Sequence, residues 1–175
     1  MATLYLATLE GPDGFSKPCV VKRIRSVFSS SASFRRMLSQ EARVAALLSH
    51  PNIVQVFDFG EVDDENYLSM EYVEGASVSA LPRLARREGR PLGLSAVVQI
   101  GLAVSDALDY IHSGVVIDGQ RTPLVHRDVT PSNILVSVRG AVKLTDFGIV
   151  KLLQTPGLTE SGVCRSFTMP KSVSF

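Results

Sequence analysis

His126-Arg127-Asp128-Val129-Thr130-Pro131-Ser132-Asn133, followed downstream by Asp146-Phe147-Gly148, is the stretch on which the reading of this chain turns. Between the two runs, residues 134–138 and 141–145 are short and rich in β-branched and apolar side chains, and Arg139-Gly140 separates them. Two short strands are expected there, with a polar loop on either side. Upstream, residues 94–112 are expected to form a long apolar helix, preceded by a basic segment at 83–90.

Toward the start of the chain the period changes. Residues 3–9 and 18–24 are β-branched, apolar-rich runs separated by Gly11, Pro12, Asp13 and Gly14, which together read as a hairpin. From 33 to 49, Phe34, Met37, Leu38, Ala45 and Leu48 recur on one helical face, and Glu41 falls on that same face. Pro51 ends this helix, because proline biases the residue before it away from helical angles and lacks a donor of its own. Two strands, 53–59 and 66–72, follow around an acidic turn, and beyond Gly75 the character becomes helical. Strands first and helices later point to an α+β chain in two lobes. The strand-rich lobe is expected over about residues 1–73 and the start of a helix-led lobe over about 74–153. Residues 154–175 are rich in Ser and Thr and follow neither period, which predicts an irregular or disordered tail.

Composition narrows the function classes. A chain of 175 residues with 45% hydrophobic residues can bury a core. Its formal net charge of +1 comes from charges mixed along the sequence, which offers no footprint for nucleic acid or an anionic membrane. Cys19 and Cys164 stand far apart without a metal-ligand pattern, so neither a disulfide framework nor a zinc site is expected, and a reducing cytoplasm is the expected setting. The apolar run at 4–9 has no basic segment before it and no small-residue cleavage site after it, so it reads as a strand. The most apolar later stretch, 97–104, contains Gln99 and runs into Asp106 and Asp109, so no membrane-spanning segment is expected.

The motifs around Asp128 and Asp146 resemble the catalytic core of eukaryotic-type serine/threonine protein kinases, bacterial members included. The resemblance implies a protein-kinase-like α+β fold, ATP and magnesium as cofactors, and a protein substrate bearing a serine or threonine hydroxyl. By the roles general to that family, Asp128 would orient the acceptor hydroxyl and accept its proton. Asn133 and Asp146 would hold magnesium against the phosphate oxygens. Lys22, at the end of a strand, resembles the lysine that contacts the α- and β-phosphates, and Glu41 its helical partner. A separate argument supports that pair: a carboxylate in an apolar stripe needs a nearby cation, and removing one partner of such a desolvated pair typically costs about 3–5 kcal/mol. Met70-Glu71-Tyr72-Val73 resembles the hinge between lobes, where the backbone of Glu71 and Val73 would hydrogen-bond adenine and Met70 would line the back of the pocket. Val20 and Leu135 would sandwich the ring. Ala45, Val56, His126 and Phe147 match the apolar column that links the two lobes, and they also fit an ordinary core.

The sequence departs from the family in three places. The glycine-rich loop that should precede the first strand is absent, and Met1 to Leu6 resembles the segment just after those glycines. At the other end, the Ala-Pro-Glu stretch and the helices beyond it have no counterpart, so a chain truncated at both ends is expected. Thr130 stands where serine/threonine kinases usually carry a lysine, although Pro131-Ser132-Asn133 still favours the serine/threonine side. An inactive nucleotide-binding or scaffold remnant is therefore the competing reading, with a small-molecule phosphotransferase behind it. Arg83, Arg86, Arg87 and Arg90 share a helical face, ordinarily a solvated one and otherwise a dock for an acidic substrate or partner. His50 and His112 lack spaced partners and suit loop packing and helix capping. Thr155, Thr159 and Ser161 lie where an activation segment would be phosphorylated, and Arg127 is the residue that would read the phosphate.

Overall fold

The computed structural model describes residues 2–24, 32–62 and 65–147, the side chains of residues 2, 32–38 and 41 excepted. The tail, Gly148, and the candidate phosphorylation sites lie outside the described residues. Strand β1 (Ala2–Glu10) and strand β2 (Ser16–Ile24) form the expected hairpin, in register from Ala2↔Ile24 to Glu10↔Ser16. Its turn holds Asp13 and Gly14 at φ of 56° and 76°, the left-handed region that glycine enters without penalty and aspartate tolerates. Pro18 is accommodated in β2 because it lies outside the stretch paired with the next strand, which begins at Cys19.

Helix α1 (Ala32–Leu47) leads into strands β3 (Val56–Val62) and β4 (Glu65–Glu71), and the sheet order is β1-β2-β4-β3, antiparallel throughout. The expected strand at 53–59 therefore begins three residues late. Ile53 and Val54 are 2% and 4% exposed, but they serve the other half of the molecule: Ile53 bridges Leu144 in parallel fashion and Val54 N–H donates to the Leu144 carbonyl at 2.9 Å. Their apolar character reflects burial at this seam, which alternation alone does not separate from a strand.

The two faces of the sheet carry different clusters. One presents Leu68 and Met70 to Ala42 of α1 and to Val54, with Val20, Val56, Val73 and Leu135 packed around them. The other gathers Cys19, Val21 and Tyr67. The Tyr67 hydroxyl donates to Asp58 at 2.9 Å, and burial together with that carboxylate pushes its pKa up to about 12. Burial likewise raises the Cys19 thiol. On β4, beside Tyr67, Ser69 Oγ is buried without a hydrogen-bond partner.

Beyond the hinge the chain is less purely helical than its composition suggests. Strand β5 (Gly75–Ser77) precedes helices α2 (Leu81–Arg87) and α3 (Leu94–His112). A hairpin of β6 (Val115–Ile117) and β7 (Gln120–Thr122) follows, then β8 (Ile134–Ser137) and β9 (Val142–Leu144). β5 pairs with β8, and β8 with β9. Gly75 is required there, since a β-carbon would lie 2.0 Å from the Val136 carbonyl oxygen. The β6–β7 turn, Asp118-Gly119, has φ of 48° and 80°, the paired left-handed geometry of a tight hairpin.

Helix α3 spans the bounds that its sequence predicts. Over all 19 residues it is long and apolar enough, by length and composition alone, to cross a membrane. One face nevertheless serves a protein core: Ala107 and Ile111 are fully buried with Leu48, Ile53, Leu124 and Leu144.

Candidate active site

The two loops that opened the sequence reading are held together by backbone pairing. Asn133 ends a short 3-10 turn (Pro131–Asn133) and β8 starts at the next residue, so the β8–β9 ladder carries one loop at its entrance and the other at its exit. Thr145 N–H donates to the Asn133 carbonyl at 2.9 Å, which closes that frame. Within it, the Asn133 side-chain amide donates to both the backbone carbonyl and the carboxylate of Asp128, each at 2.9 Å. The Asp128 carboxylate thus has a fixed direction and keeps acceptor capacity for a further donor.

Lys22 arrives from the opposite side. Its ammonium, on β2, pairs with the Asp146 carboxylate 124 residues away, joining the strand-rich half to the loop after β9. The lysine side chain is 18% exposed and the aspartate 38%, so a solute can reach the pair. Glu41 lies on α1, and its side chain is outside the described residues, so the expected Lys22–Glu41 contact is too.

Backbone strain concentrates at the same place. Arg127 and Asp146 have φ of 63° and 55°. Non-glycine residues in the left-handed region cost on the order of 1–3 kcal/mol each and persist only where their surroundings hold them. His126 supplies part of that hold. It is 2% exposed, its Nε2 lies 3.1 Å from the Thr145 carbonyl, and its Nδ1 accepts from Asp128 N–H at 3.3 Å. These partners require a neutral ring with the proton on Nε2, because a carbonyl accepts and an amide donates. Burial lowers the pKa of His126, against the raising influence of Thr145, Asp128 and Asp146.

The remaining predicted residues divide into those brought together and those not. Val20, Met70, Val73 and Leu135 share one apolar cluster, with Val20 directly opposite Met70 across the β2–β4 ladder. Among the described residues no backbone hydrogen bond engages Val73, whereas Glu71 N–H donates to the Gln55 carbonyl at 2.8 Å. Of the four residues in the expected column, His126 and Phe147 are in ring contact at 4.5 Å. Val56 packs with the sheet cluster and Phe147 with the helical one. His50 packs in its loop, stacked on Tyr110 at 5.0 Å and 3.4 Å from Asp106.

A further ion pair has no motif to announce it. Lys143 on β9 holds the Glu71 carboxylate at 2.9 Å, and Gln55 N–H donates to the same oxygen at 3.2 Å. The side chain of the hinge residue is thereby tied to the strand that leads to Asp146. Only the alternation of β9, which turns Lys143 away from the core between buried Val142 and Leu144, hints at it in the sequence.

A strand-rich sheet whose lysine reaches across to the loops of a helix-led half defines a two-lobed, protein-kinase-like α+β fold. Comparisons with known proteins agree: residues 13–174 match the protein kinase domain family. The tyrosine-protein kinase MasK of Myxococcus xanthus is 37% identical over 165 residues, covering 94% of this chain and 26% of the relative. The serine/threonine-protein kinase PrkC of Bacillus subtilis is 34% identical, over 92% of this chain and 22% of that protein. Among solved structures, the Mycobacterium tuberculosis PknI kinase domain superposes with a TM-score of 0.63 at 34% identity, covering 83% of this chain and 54% of that domain. The chain belongs to the protein kinase family, alongside its bacterial serine/threonine members. It spans about half the length of the solved kinase domain that it matches.

Proposed function

We propose that this chain is the ATP-handling part of a protein serine/threonine kinase, transferring the γ-phosphate to a protein hydroxyl. The single observation that carries the reading is the convergence of Lys22, Asp146, Asn133 and Asp128, drawn from distant parts of the chain into one frame. Adenine would lie between Val20 and Leu135, with Met70 behind it, and the backbone of Val73, which makes no hydrogen bond among the described residues, would supply hinge hydrogen bonds. Lys22 neutralises phosphate charge, paired with Glu41 in the working state. Asp128, steered by the Asn133 amide, orients the acceptor hydroxyl and takes its proton.

The donor set suits magnesium. With its amide nitrogen committed to Asp128, Asn133 keeps its side-chain oxygen as a ligand, and Asp146 keeps the oxygen that does not face Lys22. Magnesium is commonly held by one or two carboxylates plus substrate phosphates, and when bound it neutralises charge on those phosphates. A reducing, ATP-containing cytoplasm is the setting that goes with this reading, and the buried, free thiol of Cys19 is consistent with it.

Incubation with labelled ATP, magnesium and a generic protein substrate tests the proposal, and phosphoamino-acid analysis identifies the acceptor. Transfer that survives Asp128→Ala would sink the assignment. A second reading, nucleotide binding without turnover, is favoured by Thr130, which stands where serine/threonine kinases usually carry a lysine. ATP-dependent thermal stabilisation with no transfer would select it.

A further inference from the structure

Helix α2 and the turn after it carry Arg83, Arg86, Arg87 and Arg90, all exposed, with Glu88 the one acid in the segment. Among the described residues no ion pair involves any of the four. Their placement is only partly explained by helix stability. Arg86 and Arg87 sit in the last turn, where a cation meets the negative end of the helix dipole. Arg83 sits in the first turn, where the dipole opposes a positive charge. Arg90 lies past the helix end, where its N–H donates to the Ala85 carbonyl at 2.9 Å.

The start of this helix is anchored beside the loop that carries Asp128. Val78 N–H donates to the Ile134 carbonyl at 2.8 Å and Ser79 N–H to the Pro131 carbonyl at 2.9 Å. Ser132 Oγ also donates to Ser79 Oγ at 3.4 Å. The arginine-bearing segment is therefore fixed to the same short turn that ends in Asn133.

We propose that the arginine face of α2 docks an acidic stretch of the polypeptide substrate, flanking the hydroxyl that Asp128 receives. The assignment rests on the kinase reading for the identity of that hydroxyl, and it adds the substrate's chemical class. Guanidinium forks match carboxylates in two-point geometry, which favours arginine over lysine for this task. The rest of the chain argues against a more extended anion: with a formal net charge of +1 and mixed signs elsewhere, no broad positive field surrounds the patch. Four charges over eight residues fit a short acidic segment.

The test uses the full chain, a fluorescent peptide with one serine flanked by glutamates, and a neutral peptide of equal length. Fluorescence anisotropy is read at low and moderate salt. The acidic peptide is expected to bind at least about tenfold tighter than the neutral one, with the preference shrinking as salt rises. Changing Arg83, Arg86, Arg87 and Arg90 together to glutamine is expected to abolish the preference. Because all four side chains are exposed, the thermal midpoint should hold, and Arg83→Gln alone provides a milder variant with a partial loss. Equal binding of both peptides, or an unchanged preference in the quadruple variant, would overturn the proposal. So would tighter binding of anionic phospholipid vesicles or single-stranded RNA at the same charge concentration. A fluorescent ATP analogue titrated into the same samples separates the two readings: if it fails to bind while the peptide preference persists, the kinase reading falls and the acidic-peptide dock stands.

Discussion

Replacing Lys143 by methionine removes the cation from a carboxylate that cannot easily turn to water. Glu71 is held at 2.9 Å by Lys143 and at 3.2 Å by Gln55 N–H, with side-chain exposures of 17% for the lysine and 27% for the glutamate. Breaking a fully buried pair typically costs about 3–5 kcal/mol, and an exposed one about 0–1 kcal/mol. This pair lies between those limits and keeps one neutral donor after the substitution, so a loss of about 2 kcal/mol is expected for Lys143→Met. In a chain of this size that corresponds to a fall of roughly 4–8 °C in the unfolding midpoint. Glu71→Gln should cost less, because the lysine stem is long enough to carry its charge toward solvent while the carboxylate is not. Equilibrium urea unfolding of both single variants and the double variant gives the coupling directly. The double variant should be only slightly less stable than Lys143→Met. A loss below about 0.5 kcal/mol for Lys143→Met, or strictly additive losses, would show that the pair is an ordinary surface contact.

Two further outcomes concern buried groups. His126 has a lowered pKa in the folded chain, so between that value and its ordinary 6.5 the unfolded chain holds the extra proton. Stability from this group is therefore complete above pH 6.5 and declines as pH falls below it, by at most about 1.4 kcal/mol per pH unit. Unfolding midpoints measured between pH 7.5 and 5.5 should fall less steeply for His126→Phe than for the parent, and parallel slopes would contradict the neutral-ring assignment. Ser69→Ala removes a buried hydroxyl that has no partner and should raise stability by about 1 kcal/mol in urea unfolding, whereas an unchanged or lower midpoint would mean that the hydroxyl is solvated or bonded in solution.

Much of the fold was legible because local signals and burial agreed. Helix α3 runs over the residues its sequence marks, and the β1–β2 hairpin forms around the Gly-Pro-Asp-Gly turn. Where they disagreed, tertiary contact decided. Ile53 and Val54 are apolar because they are buried against Leu144, and β5 exists because Gly75 lets its backbone approach β8. The β6–β7 hairpin has strands of three residues, too short for alternation to register, although Asp118-Gly119 was a readable turn signal. At the candidate site, the resemblance of the two motifs to a kinase core singled out Asp128, Asn133 and Asp146, which lie on the loops at the two ends of the β8–β9 ladder. The Lys22–Asp146 and Lys143–Glu71 pairs join residues 124 and 72 positions apart, and no local pattern encodes such partnerships.

The seam between Asn52–Val54 and β9 sets how the two lobes can move. The strand-rich half is joined to the rest covalently at residues 72–74 and non-covalently where Leu144 N–H donates to the Asn52 carbonyl and the Leu144 carbonyl accepts from Val54 N–H. Once the Lys22–Asp146 pair opens, a body held at these two places turns about the line through them, as a door turns on its hinges. Both pins attach to the β3–β4 side of the sheet, while β1 lies two strands from β4, a lever arm of about 10 Å. A swing of about 10° would carry β1 through an arc of about 2 Å while hardly displacing β4. Under the proposed function, nucleotide entry would then be governed by the travel of the outer edge of the sheet, with Met70 standing almost still.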